Sequence, residues 1–334
     1  LYSTVVGDKS EVLSTERNYT VGMFGLNTTI KYSGVQGVGA VNVGAMNSIG
    51  AENNDAYGFD GVANSVIGVA NKTEKANGAI IMGAGNVITN SYDDEALKAA
   101  LKENAAALLS EDAATYRKLV KDAGGDVLAI GGANEADYAV KSSMIGVKNK
   151  IIGTSNSIAE LNSSIGYSNT IENGSNNSII GTNRKVSGVN GVVVIGSADP
   201  IEEEAPEGEE PTSKPLTTSV ANAVVIGTNA NVEVADGVAL GSGSVTANAL
   251  SDVSGYNAGT GKASEDTSAT WKPTLGEVSV GGNGDTRRIT NVAAGSADTD
   301  AVNVAQLKQV VTAVDNSKTH YYHVNSNETG KGSN

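Results

Sequence analysis

The apolar positions along this chain recur with a glycine attached. The pairs are Phe24-Gly25, Val43-Gly44, Ile67-Gly68, Met82-Gly83, Ile130-Gly131, Ile145-Gly146, Ile165-Gly166, Ile180-Gly181, Ile195-Gly196, Ile226-Gly227 and Leu240-Gly241. Several neighbouring glycines stand 14 or 15 residues apart: 68 and 83, 131 and 146, 166 and 181, 181 and 196, 227 and 241. Three residues after the glycine comes Asn47, Asn71, Asn86, Asn134, Asn149 or Asn169. Five residues after it comes Ile30, Ile49, Ile88, Ile151, Ile171, Val186, Ile201 or Val232. The unit is [IV]-G-x-x-N-x-[IV]. At about 3.3 Å per residue it makes two short strands and two turns. Glycine relieves the backbone at one corner, and asparagine tolerates the left-handed conformation at the other. One coil has too few apolar residues to fold alone. Stacked coils bury them in a column of Ile and Val and pair their edges with each other. The hairpin turns of a β-sandwich use the same residues but do not hold this phase. An acyltransferase β-helix of hexapeptide repeats would need a shorter period and normally a catalytic histidine.

Two segments break the phase. Between Gly83 and Gly131 the spacing is 48, and over 91–126 the apolar period becomes helical: Leu97, Leu101, Ala105 and Leu108, then Tyr116, Leu119 and Val120. Ser91 with Asp94 resembles a capping box, Ser110 before Glu111-Asp112 opens a second helix, and Gly124-Gly125 stops it. This predicts a helical hairpin insertion, packed on the coils or on a neighbouring subunit, or projecting towards a partner. Its candidate partner-binding residues are Tyr92, Lys98, Lys102, Tyr116, Arg117 and Lys121. The second break, 199–219, holds four of the five prolines and six glutamates, which predicts a solvated acidic loop.

After Gly241 the repeat fades. Residues 251–281 contain the single tryptophan, Trp271, followed by Lys272-Pro273. Beyond 282–303, Val304, Leu307, Val311 and Val314 follow the 3-4-3 spacing of coiled-coil core positions, with Asp298 or Asp300 placed to cap the helix. Alone, that spacing fits the start of a stalk over 304–318 or an amphipathic helix on a globular domain. Residues 319–334 begin a further segment.

Composition narrows the chemistry. The 334 residues include 41 Gly but 2 Phe and 1 Trp, so apolar content is mostly Ala, Val and Ile, which suit narrow pleated stacks. A net charge of −14 disfavours nucleic acid and anionic membranes. Without cysteine there are no disulfides or thiolates, and residues 1–319 have no histidine for a catalytic triad. His320 and His323, in HYYH, lack a third metal ligand nearby. GGNGDTRR at 281–288 has Thr286 where a calcium-binding nonapeptide needs Asp, and GVQGVGAVNVG at 34–44 lacks the lysine and helix of a phosphate loop. No cofactor, metal or catalytic residue is expected. The Asn-x-Ser/Thr sites at Asn18, Asn27, Asn71, Asn162 and Asn176 read as asparagine-rich turns. No apolar run is long enough for a membrane helix. The start at Leu1 and the ending GKGSN read as an excerpt of a longer chain.

The phrase TRRITNVAAGSADTDAVNVAQLKQV at 286–310 resembles the neck of trimeric autotransporter adhesins. The glycine-marked coils over 1–250 resemble that family's YadA-like head, and the Trp271 segment resembles a head–neck connector. The resemblance implies a mainly β fold: a left-handed parallel β-roll in each chain, three rolls forming a homotrimeric prism, and a neck narrowing it onto a trimeric coiled coil with core Val304, Leu307, Val311 and Val314. Gly68, Gly83, Gly131, Gly146, Gly166, Gly181, Gly196, Gly227, Gly241, Asn71, Asn86, Asn149 and Asn169 become structural repeat positions. A flank of small apolar residues, including Ala40, Val41, Val192 and Val193, is expected to want cover from a neighbouring copy. Three copies carry 3 × −14, or −42. The implied role is non-enzymatic, multivalent attachment to host cells, matrix proteins or other bacteria. The protein would sit on the surface of a Gram-negative bacterium, anchored through a C-terminal region outside this chain. A structural spacer for a separate tip, and a tail-spike-like β-solenoid with glycosidase activity, are the alternatives.

Overall fold

A computed structural model of the chain describes residues 3–12, 16–23, 26–33, 39–50, 60–92, 113–203, 212–250 and 253–318. Two compact units divide it: Leu1–Val253 with Pro273–Thr286, and Ser254–Lys272 with Arg287–Asn334.

Among the described residues, the first unit contains two long parallel sheets. One runs through twelve strands, from Thr4–Val6 and Val41–Ala45 to Val238–Leu240 and Val278–Ser279. The other runs through nine, from Glu11–Val12 and Ser48–Ile49 to Arg184–Ser187 and Leu216–Thr218. As far as Leu216–Thr218 the chain alternates between them coil by coil, and in the last coils Asn231–Val232 and Val245–Thr246 pair separately. The repeat itself sets the register: Gly44, Gly68, Gly83, Gly131, Gly146, Gly166 and Gly181 lie directly opposite one another in successive strands. Gly83 pairs with Gly131, and Ile195 with Ile226. Both phase breaks therefore leave the stack and return to it in register.

Inside the first unit the core is narrow. The first sheet supplies the residue two before each glycine, including Val66, Ile81, Ala129, Met144, Ile179, Val194, Val225 and Ala239, all buried. The second sheet supplies the residue five after it, including Ile49, Thr73, Ile88, Ala136, Ile151, Ile171 and Val186. The apolar residue that immediately precedes glycine does not join this column. Side chains alternate along a strand, so Ile67, Met82, Ile145, Ile180 and Ile195 point outward and are exposed.

Several sequence expectations change. Phe24-Gly25 lies outside the described residues, and Ile30 belongs to no coil. Glu16–Met23 and Leu26–Ser33 pair as antiparallel strands, with Ile30 in register with Tyr19. Ile201 leaves the column; it is 49 % exposed and pairs with Lys214, while buried Thr218 takes its place opposite Val186. The acidic segment is therefore not a plain loop: Ile201–Glu203 and Thr212–Lys214 pair as an antiparallel stem. The expected flank also differs, since Ala40 and Val192 are buried inside the chain while Val193 is exposed.

Helix α1, Ala113–Ala123, lies within the 91–126 insertion and stops at Gly124, whose N–H donates to the Val120 carbonyl. Tyr92 and Gly124 bridge across the base of the insertion. The first predicted helix, with Lys98 and Lys102, and the Ser110 start of the second lie outside the described residues.

In the second unit, Tyr256–Asn257 pairs with Lys262–Ala263, and the Gly255 N–H donates to the Trp271 carbonyl at 2.6 Å. Helix α2, Val304–Ser317, starts at a capping box made by Asn303 and Gln306, not at Asp298 or Asp300. Asp300 instead closes the preceding turn by accepting the Ser296 and Ala297 N–H groups at 2.8 and 3.0 Å. Gln306 also clasps Gly295, donating to its carbonyl and accepting its N–H at 2.8 and 3.0 Å.

Candidate functional site: ladder corner, uncovered face and insertion edge

The corner from the first sheet to the second is only two residues long in most coils. Its first residue is left-handed, as at Met46, Ala70, Lys148 and Ser168, with φ of 56°, 54°, 58° and 56°. Its second is the repeat asparagine. The sequence reading assigned the left-handed turn to asparagine, but the backbone assigns it to the preceding residue. Asparagine is buried and does a different job. The Asn71 N–H and Nδ2 both donate to Asn47 Oδ1 at 3.0 Å, and Nδ2 also donates to the Gly83 carbonyl at 2.8 Å. Asn86, Asn134, Asn149 and Asn169 repeat the motif, each donating Nδ2 to the asparagine before it at 2.9–3.1 Å. The result is one continuous amide ladder through the roll. An amide can donate two bonds and accept others at each rung, which a hydroxyl with one hydrogen cannot, so every rung leaves its polar atoms satisfied.

The same rungs fix the glycines. At Gly146, φ is +127°, and a Cβ would overlap the Gly166 carbonyl. Gly83, with φ +142°, meets Gly131 in the same way. Here glycine permits close approach between coils, beyond freeing a corner.

A second ladder escaped the sequence reading. Asn64, Asn162 and Asn177 stand four residues before Gly68, Gly166 and Gly181. The Asn177 N–H donates to Asn162 Oδ1 at 3.0 Å, and Asn177 Oδ1 accepts the Val192 N–H at 2.9 Å. The recurring Asn-Ser two residues ahead of the inward position was its signal. Asn71 and Asn162, both in sequons, are buried rungs with no accessible amide.

The first ladder ends at Arg184, which occupies the next asparagine place. Its N–H donates to Asn169 Oδ1 at 3.2 Å, and its Nη2 reaches the Ala230 carbonyl at 2.7 Å. Ala230 holds the equivalent place in the coil of Gly227. Arg184 thus spans the coil whose corner is opened by the acidic excursion. Its Nε and Nη1 have no partner, and burial lowers its pKa to about 10.

The two sheets present opposite outer faces. The second carries cross-strand ion pairs, Lys150 with Glu135 at 2.6 Å and Lys185 with Glu172 at 2.8 Å, as a solvated surface does. The first presents Ile67, Ile80, Met82, Val147, Ile180, Ile195 and Leu240, each 41–47 % exposed. A contiguous apolar face of this kind marks an interaction surface. In the second unit, Val304, Leu307, Val311 and Val314 are likewise exposed, and α2 buries no residue.

Excursions concentrate at the other corner, after a strand of the second sheet. They follow Val12, Ile49, Ser91 and Ile152, before the chain returns to Val41, Ser65, Leu128 and Ser163. The asparagine corner accepts one only after Ile195, where the ladder has ended. The insertion with α1 roots on the tolerant edge. Of the predicted partner-binding residues, Tyr92 is half-buried at its base, Tyr116 lies on α1, and Arg117 and Lys121 are exposed there. No group of three His, Asp or Glu residues suited to a metal occurs among the described residues, and no described helix is long and apolar enough to cross a membrane.

The family described as the coiled stalk of trimeric autotransporter adhesins matches residues 288–330. The chain is 43 % identical over 94 residues to the autotransporter adhesin EhaG of Escherichia coli O157:H7, covering 28 % of this chain and 5 % of EhaG. It is 53 % identical over 73 residues to the autotransporter adhesin BadA of Bartonella henselae, covering 21 % of this chain and 2 % of BadA. The chain thus spans a small fraction of the length of these relatives. The crystal structure of the collagen-binding domain of the Yersinia adhesin YadA aligns over 56 % of this chain and 83 % of that domain, at 23 % identity and a TM-score of 0.31, too low to carry the fold. With its matched stalk segment and its two adhesin relatives, the chain is recognised as similar to the trimeric autotransporter adhesins.

Proposed function

We propose that the chain is the head and neck of a homotrimeric surface adhesin. The apolar outer face of the twelve-stranded sheet carries this reading. A solvated sheet alternates apolar inside with polar outside, whereas a parallel sheet covered on both faces reads as an apolar run. Val66-Ile67 and Ile80-Ile81-Met82 are of the second kind, yet Ile67, Ile80 and Met82 have no cover within the chain. Three copies around a closed axis cover each other without leaving an open interface. The uncovered core positions of α2 ask for the same arrangement. Each copy would be a left-handed roll, and a C-terminal region outside this chain would anchor the fibre in the outer membrane.

The trimer holds three copies of every surface element on a stiff support, so weak single contacts add up to strong attachment. The function is binding rather than catalysis, and the partners are host cell-surface or matrix proteins or the surfaces of other bacteria. Display of the full chain on a non-adherent bacterium tests this, with attachment counted on cultured cells, matrix-coated plates and bacterial lawns. Attachment above the undisplayed control is expected, and none on any surface contradicts the reading. A version lacking 91–126 that attaches unchanged places recognition elsewhere or makes this portion a spacer.

A further inference from the structure

On the second sheet three lysines are neutralised: Lys72, Lys150 and Lys185 are paired with Glu74, Glu135 and Glu172 at 2.6–2.8 Å. Helix α1 is different. Arg117, Lys118 and Lys121 lie within five residues, all exposed, and among the described residues none of their side chains has an ion-pair or hydrogen-bond partner. Taking 100° per residue, they stand at about 60°, 160° and 100° around the helix from Val120, forming one stripe. Val120 faces Gly78 on the roll, where a Cβ on Gly78 would come within 3.3 Å of its Cγ1, so the stripe turns away from the coils. Like charges four apart, as Arg117 and Lys121 are, weaken a helix. The chain has 37 acidic residues, yet among those described none partners this stripe.

We propose that the α1 stripe is a docking surface for a sulfated polysaccharide chain, such as the glycosaminoglycans of animal cell surfaces. Charge complementarity selects the occupant: an extended polyanion meets three free cations in each copy. The net charge of −14 disfavours duplex nucleic acid, whose dense charge would also meet the acidic remainder of the protein. The fold makes the stripe available, since its insertion roots on the edge where the roll tolerates excursions, and the Tyr92–Gly124 bridge closes its base. The proposal deepens the adhesin reading, but the two fail separately. Glycan binding by purified protein does not require attachment of displayed protein, and attachment can proceed through another surface.

The test is binding of the full chain to immobilised heparin from 50 to 200 mM salt, beside R117Q/K118Q/K121Q and an immobilised DNA duplex. Glutamine keeps the helix propensity, and the solution mass of the variant confirms its fold. With three ionic contacts, each contributing a slope of about −0.7 to −0.9, affinity should fall about 15- to 40-fold across that range. The variant should bind at least about tenfold more weakly at 50 mM salt, with a flatter salt dependence. Undetectable heparin binding by the parent, equal binding by the variant, or equal binding to the duplex would each overturn the proposal.

Discussion

Replacing Asn149 by alanine tests the amide ladder at its centre. The Asn149 side chain donates to Asn134 Oδ1 at 3.0 Å and to the Gly166 carbonyl at 2.9 Å. It accepts from Ser164 Oγ at 3.1 Å and from Asn169 N–H and Nδ2 at 3.4 and 3.1 Å. Alanine removes all five bonds. The Asn169 side chain keeps its bond to the Gly181 carbonyl and the Ser164 hydroxyl can rotate, but the Gly166 carbonyl and the Asn169 N–H lose a partner away from water. At about 1–3 kcal/mol for each buried group left unmatched, the cost is about 3–5 kcal/mol per chain. Denaturant unfolding followed by far-ultraviolet circular dichroism measures it, with Lys150→Ala as reference. That exposed ion pair with Glu135 is worth less than about 1 kcal/mol. Asn149→Asp separates hydrogen bonding from shape. Its carboxylate can accept but not donate, so burial and the facing Asn134 Oδ1 raise its folded pKa. A raised folded pKa makes stability grow as pH falls through it, and acid should partly rescue this variant. Destabilisation of N149A by less than about 1 kcal/mol would refute the ladder as a source of stability and leave asparagine only a turn preference.

Gly146→Ala should prevent assembly of the roll, because its Cβ overlaps the Gly166 carbonyl at φ +127°; a soluble variant with native circular dichroism contradicts the close-stacking argument. Arg184→Met should leave stability unchanged or raised, since it removes a buried cation with two unpartnered nitrogens at the cost of one bond to Ala230; a loss matching that of N149A would show that the guanidinium sustains the ladder. Glu277 is pulled up by burial, but bonds from the Asn248 side chain, the Asn248 N–H and the Ala247 N–H outweigh this and hold its pKa below the usual value. A lowered folded pKa gives stability that is present above the unfolded value and lost as pH falls through the folded one. The stability difference between the parent and Glu277→Gln should therefore shrink below about pH 4.3, and unfolding curves showing a pH-independent difference would contradict this.

The glycine phase could be read from the sequence because close approach admits no other residue. That made the register of Gly44 to Gly181 a matter of counting. The facing of each strand could not be counted. Ile81 and Met82 are both large and apolar, and only the fold shows that Ile81 fills the roll while Met82 stays outside. This ambiguity has a physical origin, since a sheet covered on both faces erases the alternation that marks one side. Asparagine misled similarly: its tolerance of left-handed turns and its two-sided amide recommend it for the same corner, and the backbone gives the turn to Ala70 and the bonds to Asn71. Ile30 held the expected spacing without the long-range partner, and the antiparallel pairing of Glu16–Met23 with Leu26–Ser33 took precedence. At the α1 insertion the helical period and the Gly124 stop were legible. The free charge of Arg117, Lys118 and Lys121 was not, because pairing depends on neighbours distant in sequence.

The proposed trimer depends most on copies of this chain covering its apolar sheet face. Light scattering during size-exclusion chromatography weighs that assembly directly. The prediction is a species of about 101 kDa, three chains of 33.8 kDa, that persists at micromolar concentration and is lost when Ile145 and Ile180 are both replaced by aspartate. A stable, folded species at 33.8 kDa would contradict it.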